Sequence, residues 1–271
     1  MKNTKQKTAL VVEGGTFRSV FSSGVLDGFI GRQFNPFDFS IGVSAGAANL
    51  AFYIAGKRGK SYQIFIDLIN SNKFISCRRF IKGGHLLDLD WLFACYLDNE
   101  MLDQGKAFST SLPLYVCVTD ANCGKAEYII ATKNNFKPLV KASMALPLIY
   151  RKFPQLDGRE MTDGGVADSI PVLQAIQFGA TKIIVIRARH ESYLKKDTII
   201  HKFIRWKTRN HPALVQTMRQ RVQHHSNTID LIRNPPQDIQ IIEVCPPEDF
   251  DIGRFSRDTS VYRQVTCAVL K

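Results

Sequence analysis

Residues 37–50 read Phe37-Asp38-Phe39-Ser40-Ile41-Gly42-Val43-Ser44-Ala45-Gly46-Ala47-Ala48-Asn49-Leu50, with a G-x-S-x-G pentapeptide from Gly42 to Gly46 at their centre. The stretch before Ser44 is short and apolar, as a buried strand is, and the stretch after it is rich in alanine and other helix formers. A serine between a strand and a helix sits on a sharp turn that exposes its hydroxyl, and Gly42, Ala45 and Gly46 are small enough to let that turn close. The helix N-terminus offers backbone N–H groups and a dipole that favour developing negative charge. The plainer reading, a Gly/Ser-rich turn that caps a helix, stays open at this point.

The same alternation continues on both sides. Apolar runs of strand length occur at residues 8–12, 39–43, 114–119, 126–131, 182–187 and 239–244. Helical patterns fall at 20–30, 47–55, 62–70, 89–96, 136–144 and 172–178, with later helices within 201–233, where Pro212 interrupts, and from Arg257 onward. Strands alternating with helices predict an α/β fold with a mostly parallel central sheet flanked by helices. In such sheets ligands bind at the carboxyl ends of the strands, and Ser44 lies at one of these ends.

Two further loops meet that condition. The first strand runs into Glu13-Gly14-Gly15-Thr16-Phe17-Arg18-Ser19 and then a helix, a geometry that presents backbone N–H groups to an anion or an oxyanion. A dinucleotide loop requires glycine where Thr16 and Ser19 stand, and Gly59-Lys60-Ser61 lacks the first glycine of a phosphate loop because Ile54 occupies its place. The other loop, Thr162-Asp163-Gly164-Gly165, follows an expected hairpin over 153–161. In isolation it reads as a tight turn; a serine nucleophile that needs a proton acceptor gives Asp163 a second reading.

The 271 residues carry 45% hydrophobic side chains, ample for a core, and no linker, repeat or low-complexity run, so a single domain over 1–271 is expected. Six cysteines without a C-x-x-C pair suit reduced, mostly buried thiols of a cytoplasmic protein. The apolar run at 9–12 is too short for a signal-peptide core, and no stretch reaches the length of a membrane span. The net charge of +12 attracts anionic surfaces. The basic stretch from Lys195 to Arg221, interleaved with Phe203, Trp206 and Met218, fits peripheral contact with an anionic membrane, although a solvated helical face is the plainer reading for most of it. Nucleic-acid binding has charge as its only support.

With a Gly-Gly loop after the first strand, G-x-S-x-G and a later D-G-G, the chain resembles the patatin-like phospholipase family. Ala142-Ser143-Met144-Ala145-Leu146-Pro147 is similar to the A-S-x-A-x-P segment of that family, and residues 33–38 and 83–91 resemble its bacterial YjjU-type branch. The resemblance implies a three-layer patatin-like fold and a serine acyl hydrolase of lipid esters, of phospholipase A or lysophospholipase type. It assigns Ser44 as nucleophile and Asp163 as proton acceptor, with Gly14, Gly15, Thr16 and Arg18 in the oxyanion loop. Gly42 and Gly46 shape the elbow, Gly164 and Gly165 complete the D-G-G motif, and no metal or cofactor is required.

The chain departs from the usual loop, [D/E]-G-G-G-x-[R/K]-G, at Thr16 and Ser19. If the backbone has positive φ at position 16, a β-branched residue there is strained by about 1–3 kcal/mol and the loop can misdirect an N–H group. A catalytically impaired, membrane-associated binding protein is therefore an alternative. Another is a Ser-His-Asp esterase using His190, which follows the strand at 182–187. Phe17, Leu146, Leu148 and Ile149 are expected near the motifs, either as an apolar trough for an acyl chain or as plain core residues, the more frequent fate of such side chains.

Overall fold

The apolar run near the start of the chain forms strand β1 (Lys7–Val12), which lies in the middle of the sheet because both of its faces are buried. Leu10 and Val12 enter one hydrophobic cluster, Ala9 and Val11 another. The computed structural model describes residues 6–96, 99–109, 112–197, 199–250 and 252. The other strands are β2 (Phe39–Val43), β3 (Leu114–Asp120), β4 (Ala126–Ile130), β5 (Gln155–Leu156), β6 (Arg159–Asp163), β7 (Ala180–Ile186) and β8 (Gln240–Val244). The sheet order is β5-β6-β3-β2-β1-β7-β8, with β4 paired to β3. Neighbours from β3 through β8 run parallel, whereas β4 and β6 pair antiparallel with β3, and β5–β6 is the expected hairpin.

The helices are α1 (Val20–Gly31), α2 (Ala45–Ile54), α3 (Lys60–Asn70), α4 (Cys77–Ile81), α5 (Leu89–Tyr96), α6 (Asn99–Leu102), α7 (Gln104–Ser109), α8 (Phe136–Met144), α9 (Val172–Gln177), α10 (Ile199–Lys207) and α11 (Pro212–Arg233). On one face, Leu26, Leu50, Phe65, Leu92 and Leu139 pack with Leu10 and Val12. On the other, Val172 and Ala175 of α9 and Ile229 and Ile232 of α11 cover Ala9, Val11 and Ile41. Each fully buried side chain of this size contributes about 1.5–3 kcal/mol relative to exposure. The result is the expected three-layer α/β architecture with a largely parallel centre.

Helix α2 starts at Ala45, two residues earlier than expected, because the turn at Ser44 hands directly into the helix. Pro212 separates α10 from α11 and occupies the first turn of α11, where a missing N–H costs nothing. The short helices α4, α6 and α7 have no expected counterpart; for α4 the available signal was Ser76, whose Oγ accepts the Arg79 N–H at 3.1 Å. The expected helix from Arg257 lies outside the described residues. The thiols need correction: Cys77, Cys95 and Cys123 are exposed, Cys245 is half-buried and Cys117 is buried. Cys77 sits on the short helix α4, which buries none of its side chains, Cys95 on the outer side of α5, whose Leu89, Leu92 and Phe93 take the core positions, and Cys123 in the turn between β3 and β4.

The parallel centre brings three strand ends together, with Val12 aligned to both Gly42 and Ile186. On β3, Cys117 pairs with Val43 of β2 and the adjacent Val118 pairs with Asp163 of β6. The end of β6 therefore meets the end of β2.

Candidate active site

Ser44 has φ 54° and ψ −127°, a backbone conformation that costs a non-glycine residue about 1–3 kcal/mol. Its surroundings enforce it. The Ser44 N–H donates to Ser143 Oγ at 2.7 Å, and that hydroxyl donates to the Cys117 carbonyl at 2.6 Å. Gly42 and Gly46 are required by space: a Cβ on Gly42 would lie 2.5 Å from Ala47 Cα, and one on Gly46 would lie 2.6 Å from the Val12 carbonyl oxygen. Ser44 is 8% exposed, at the N-terminus of α2.

Asp163, buried at the end of β6, accepts the Gly165 N–H on Oδ1 at 2.7 Å, which fixes its carboxylate. Its own N–H donates to the Ala145 carbonyl at 3.1 Å, and its carbonyl accepts from Thr119 Oγ1 at 2.9 Å. Both glycines of the D-G-G turn face close neighbours. A Cβ on Gly164 would stand 2.2 Å from the Cys117 carbonyl oxygen, and one on Gly165 3.0 Å from Asp163 Oδ1. Residues 142–147 thus bind both partners, Ser143 holding Ser44 and Ala145 holding Asp163.

The loop after β1 packs directly on this pair: a Cβ on Gly14 would lie 2.8 Å from Ser44 Cβ. The N–H groups of Gly14, Gly15 and Thr16 make no hydrogen bond among the described residues. Thr16 has φ 53°, so the conditional strain foreseen at this position is present. Ser19 is fully buried, and its hydroxyl has no partner among the described residues. Arg18 is anchored through Nε to the Ile252 carbonyl at 2.9 Å. Glu13 accepts the Ala188 N–H on Oε2 at 2.9 Å, tying this loop to the end of β7. Behind it, the buried Arg187 pairs through Nη1 with Glu243 at 2.5 Å; burial opposes its charge, but Glu13 and Glu243 raise its pKa above the usual arginine value.

Ser44, Asp163, Gly14, Gly15, Thr16 and Arg18 line one cleft of about 60 Å³, together with Gly165, Leu146, Arg189, Tyr193, Lys195 and Arg221. Of the apolar residues expected near the motifs, Leu146 is in this cleft. Phe17 is buried in the core against Phe74, Ile149 packs at the core's edge, and Leu148 lines a separate groove with Phe153 and His211. His190 is not among the residues lining the cleft, and its Nδ1 lies 2.9 Å from Ser192 Oγ.

Residues 10–176 match the family model described as patatin-like phospholipase. The chain belongs to the patatin-like phospholipase family. Residues 211–265 match a second model, described as a domain of unknown function, DUF6363. The chain is 33% identical over 249 residues to the uncharacterized protein YjjU of Escherichia coli (strain K12), covering 89% of this chain and 69% of that protein. Among solved structures it is similar to VipD from Legionella pneumophila at 11% identity and a TM-score of 0.43, covering 98% of this chain and 67% of the other.

The patatin-like match runs from β1 to α9 and contains Ser44 and Asp163. The family is one of lipid acyl hydrolases, so a lipid substrate and hydrolytic chemistry in general follow from membership. Sequence reading did not find the cationic part of the cleft. Arg189, Lys195 and Arg221 lie beyond residue 176, and the basic stretch that contains Lys195 and Arg221 reads by itself as a solvated face or a membrane contact.

Proposed function

We propose that the chain is a carboxylic ester hydrolase of lipid esters, acting through an acyl-enzyme on Ser44 with Asp163 as general base. The observation that carries this reading is the shared cleft, in which a serine on a strained elbow and a buried carboxylate stand beside a loop of N–H groups with no described partner. Asp163 takes the proton of Ser44 as its Oγ attacks the ester carbonyl carbon. The resulting oxyanion turns to the N–H groups of residues 14–16. When the C–O bond to the alcohol breaks, the alcohol takes the proton from Asp163. Water then gives a proton to Asp163 and attacks the acyl-serine; the fatty acid leaves and Ser44 recovers its proton. The scheme uses neither metal nor cofactor.

In this reading residues 1–271 form one catalytic unit, supported by α11, whose Ile229 and Ile232 share a core with β1 and α9. The chain works in the cytoplasm, with peripheral contact at the inner membrane face, and nucleic acid has no part in it. The support for membrane contact is the net charge and Trp206, 54% exposed, with the Lys207 and Arg209 charges 4.8 and 5.4 Å from its ring. Among the described residues no helix is long and apolar enough to cross a membrane.

The positive φ of Thr16 favours a second reading, a binding protein whose turnover is impaired at the oxyanion loop. Hydrolysis of a monomeric short-chain aryl ester separates the possibilities. The proposal expects turnover by the native chain, a loss of roughly a hundred- to ten-thousandfold in Asp163→Asn, and retention of most activity in His190→Ala. Loss in His190→Ala with retention in Asp163→Asn overturns it. A native chain that is inactive but gains activity as Thr16→Gly selects the second reading.

A further inference from the structure

The catalytic cleft carries more positive charge than ester hydrolysis requires. Arg18, Arg189, Lys195 and Arg221 line it, and the carboxylates in the lining are Glu13 and Asp163. Both are engaged: Glu13 accepts the Ala188 N–H and faces the Arg187 charge, and Asp163 accepts the Gly165 N–H. The apolar lining comes from Val43, Leu146, Ala188 and the Tyr193 ring, and the Arg189 guanidinium covers that ring. This part of the cleft is built for a charged group rather than for an acyl chain.

We propose that the loop after β7 and helix α11 form an anion-binding wall that holds a phosphate carried by the alcohol portion of the ester. The assignment of that phosphate to an ester rests on the hydrolase reading above; the wall itself does not. Guanidinium groups suit phosphate because their planar forks match its oxygens two at a time, and the wall holds both kinds of cation. Arg189 stacks over the Tyr193 ring, 4.4 Å from its centroid, and Lys195 Nζ donates to Ser169 Oγ at 3.0 Å, so both heads are held by residues that themselves line the cleft.

His225 of α11 supplies an independent observation. It is 3% exposed, and neither ring nitrogen has a hydrogen-bond partner among the described residues. It lines a small cavity of about 10 Å³ that shares Ser169, Lys195 and Arg221 with the catalytic cleft. Burial first, and then the charges of Lys195, Arg187 and Arg221, push its pKa down to about 3. The ring is therefore neutral at physiological pH and carries one N–H donor beside the cations, which an anion oxygen or its bound water can accept. Asp168, in the same cavity, is engaged by Tyr128 Oη at 2.7 Å and the Ile170 N–H at 3.1 Å.

Arg189, Lys195 and Arg221 lie after the patatin-like match, and Arg221 falls within residues 211–265. Ile252, from the same stretch, receives the Arg18 side chain through its carbonyl. The segment matching DUF6363 thereby acquires a role: it contributes charge to the cleft of the segment that carries Ser44, and it anchors a cation of the oxyanion loop.

The test is isothermal titration of the full chain with sn-glycerol 3-phosphate, glycerol and inorganic phosphate. Glycerol 3-phosphate binds, glycerol does not, and inorganic phosphate binds more weakly. Arg221→Gln and Arg189→Gln each weaken glycerol 3-phosphate by about tenfold or more, while Lys133→Gln, an exposed control away from the cleft, leaves it unchanged. Lys195→Gln replaces any variant that fails to fold. In turnover, kcat/KM for a monomeric short-chain lysophosphatidate exceeds that for its choline ester, and the ratio falls in Arg221→Gln. Equal binding of glycerol, or affinity unchanged in every wall variant, overturns the wall. Inorganic phosphate binding as tightly as glycerol 3-phosphate overturns the assignment to an ester. Binding that the variants abolish, in a chain that hydrolyses no ester, supports the wall and refutes the hydrolase reading.

Discussion

The Ser143 hydroxyl accepts the Ser44 N–H at 2.7 Å and donates to the Cys117 carbonyl at 2.6 Å, so one fully buried side chain bridges the elbow to β3. A positive-φ serine persists only when its neighbours over-determine it, and this bridge is one of the restraints. Ser143→Ala strands two buried polar groups, at about 1–3 kcal/mol each. It also loosens Ser44, lowering kcat by roughly ten- to a hundredfold with little change in KM. Steady-state kinetics beside a denaturant titration checks both effects; a loss of stability with kcat intact removes Ser143 from the positioning of Ser44.

Thr16→Gly removes a β-branched residue from φ 53°. Relief of about 1–3 kcal/mol is partly offset by the larger unfolded-state entropy of glycine, about 0.4–1 kcal/mol. The net expectation is a higher melting temperature and a faster reaction of Ser44, read by calorimetry and by ester turnover. A fall in both means that the threonine conformation is the one the loop needs.

Gly14→Ala places a Cβ 2.7 Å from the Val43 carbonyl oxygen and 2.8 Å from Ser44 Cβ, both in the elbow. Gly46→Ala meets the Val12 and Glu13 carbonyl oxygens at 2.6 and 2.8 Å. Neither backbone can yield without moving a strand end, so each variant loses about 1–3 kcal/mol or more of stability and nearly all turnover. Gly158→Ala is the contrast: nothing stands within 4 Å, and its positive φ of 75° sets the penalty, about 1 kcal/mol, with turnover retained. Thermal melts with turnover assays distinguish the two classes.

Much of this arrangement could be read from residue order. The alternation of apolar runs placed β2, α5 and α8 at their observed limits, and G-x-S-x-G placed Ser44 on the elbow, because strand, turn and helix signals there are local and agree. Asp163 needed a pairing between strands distant in sequence, Val118 with Asp163, which no local pattern encodes. The positive φ of Thr16 has no local signal, since threonine itself disfavours the conformation the loop imposes. Lys195 and Arg221 were visible as charge, but Arg221 enters the cleft through the packing of α11 against α9 and the sheet, and Lys195 through the loop after β7, where its Nζ reaches Ser169 Oγ. Between trough and core, sequence left both open: Leu146 lines the cleft, whereas Phe17, adjacent to the site in sequence, turns its side chain to Phe74 in the core.

His225 makes stability pH-dependent. Its folded pKa is lowered from 6.5 to about 3, so between these values the unfolded chain binds a proton that the folded chain does not. Stability therefore falls as pH drops from about 6.5 toward 3, by up to a few kcal/mol. Chemical denaturation at pH 7.5 and pH 4.5 measures the loss. His225→Phe keeps the ring against Tyr193 and flattens the dependence in that window, while other titrating groups such as Asp168 and Asp27 contribute equally to both proteins. An unchanged slope in His225→Phe contradicts the assignment.

Reaction of the purified chain with a fluorophosphonate, followed by mass spectrometry of the peptide containing residues 42–46, tests the nucleophile most directly. The expected result is one phosphonyl group per chain, on Ser44, absent in Ser44→Ala and formed far more slowly in Asp163→Asn. A folded native chain that carries no label on Ser44, or that reacts equally fast without the Asp163 carboxylate, would contradict the Ser44–Asp163 mechanism.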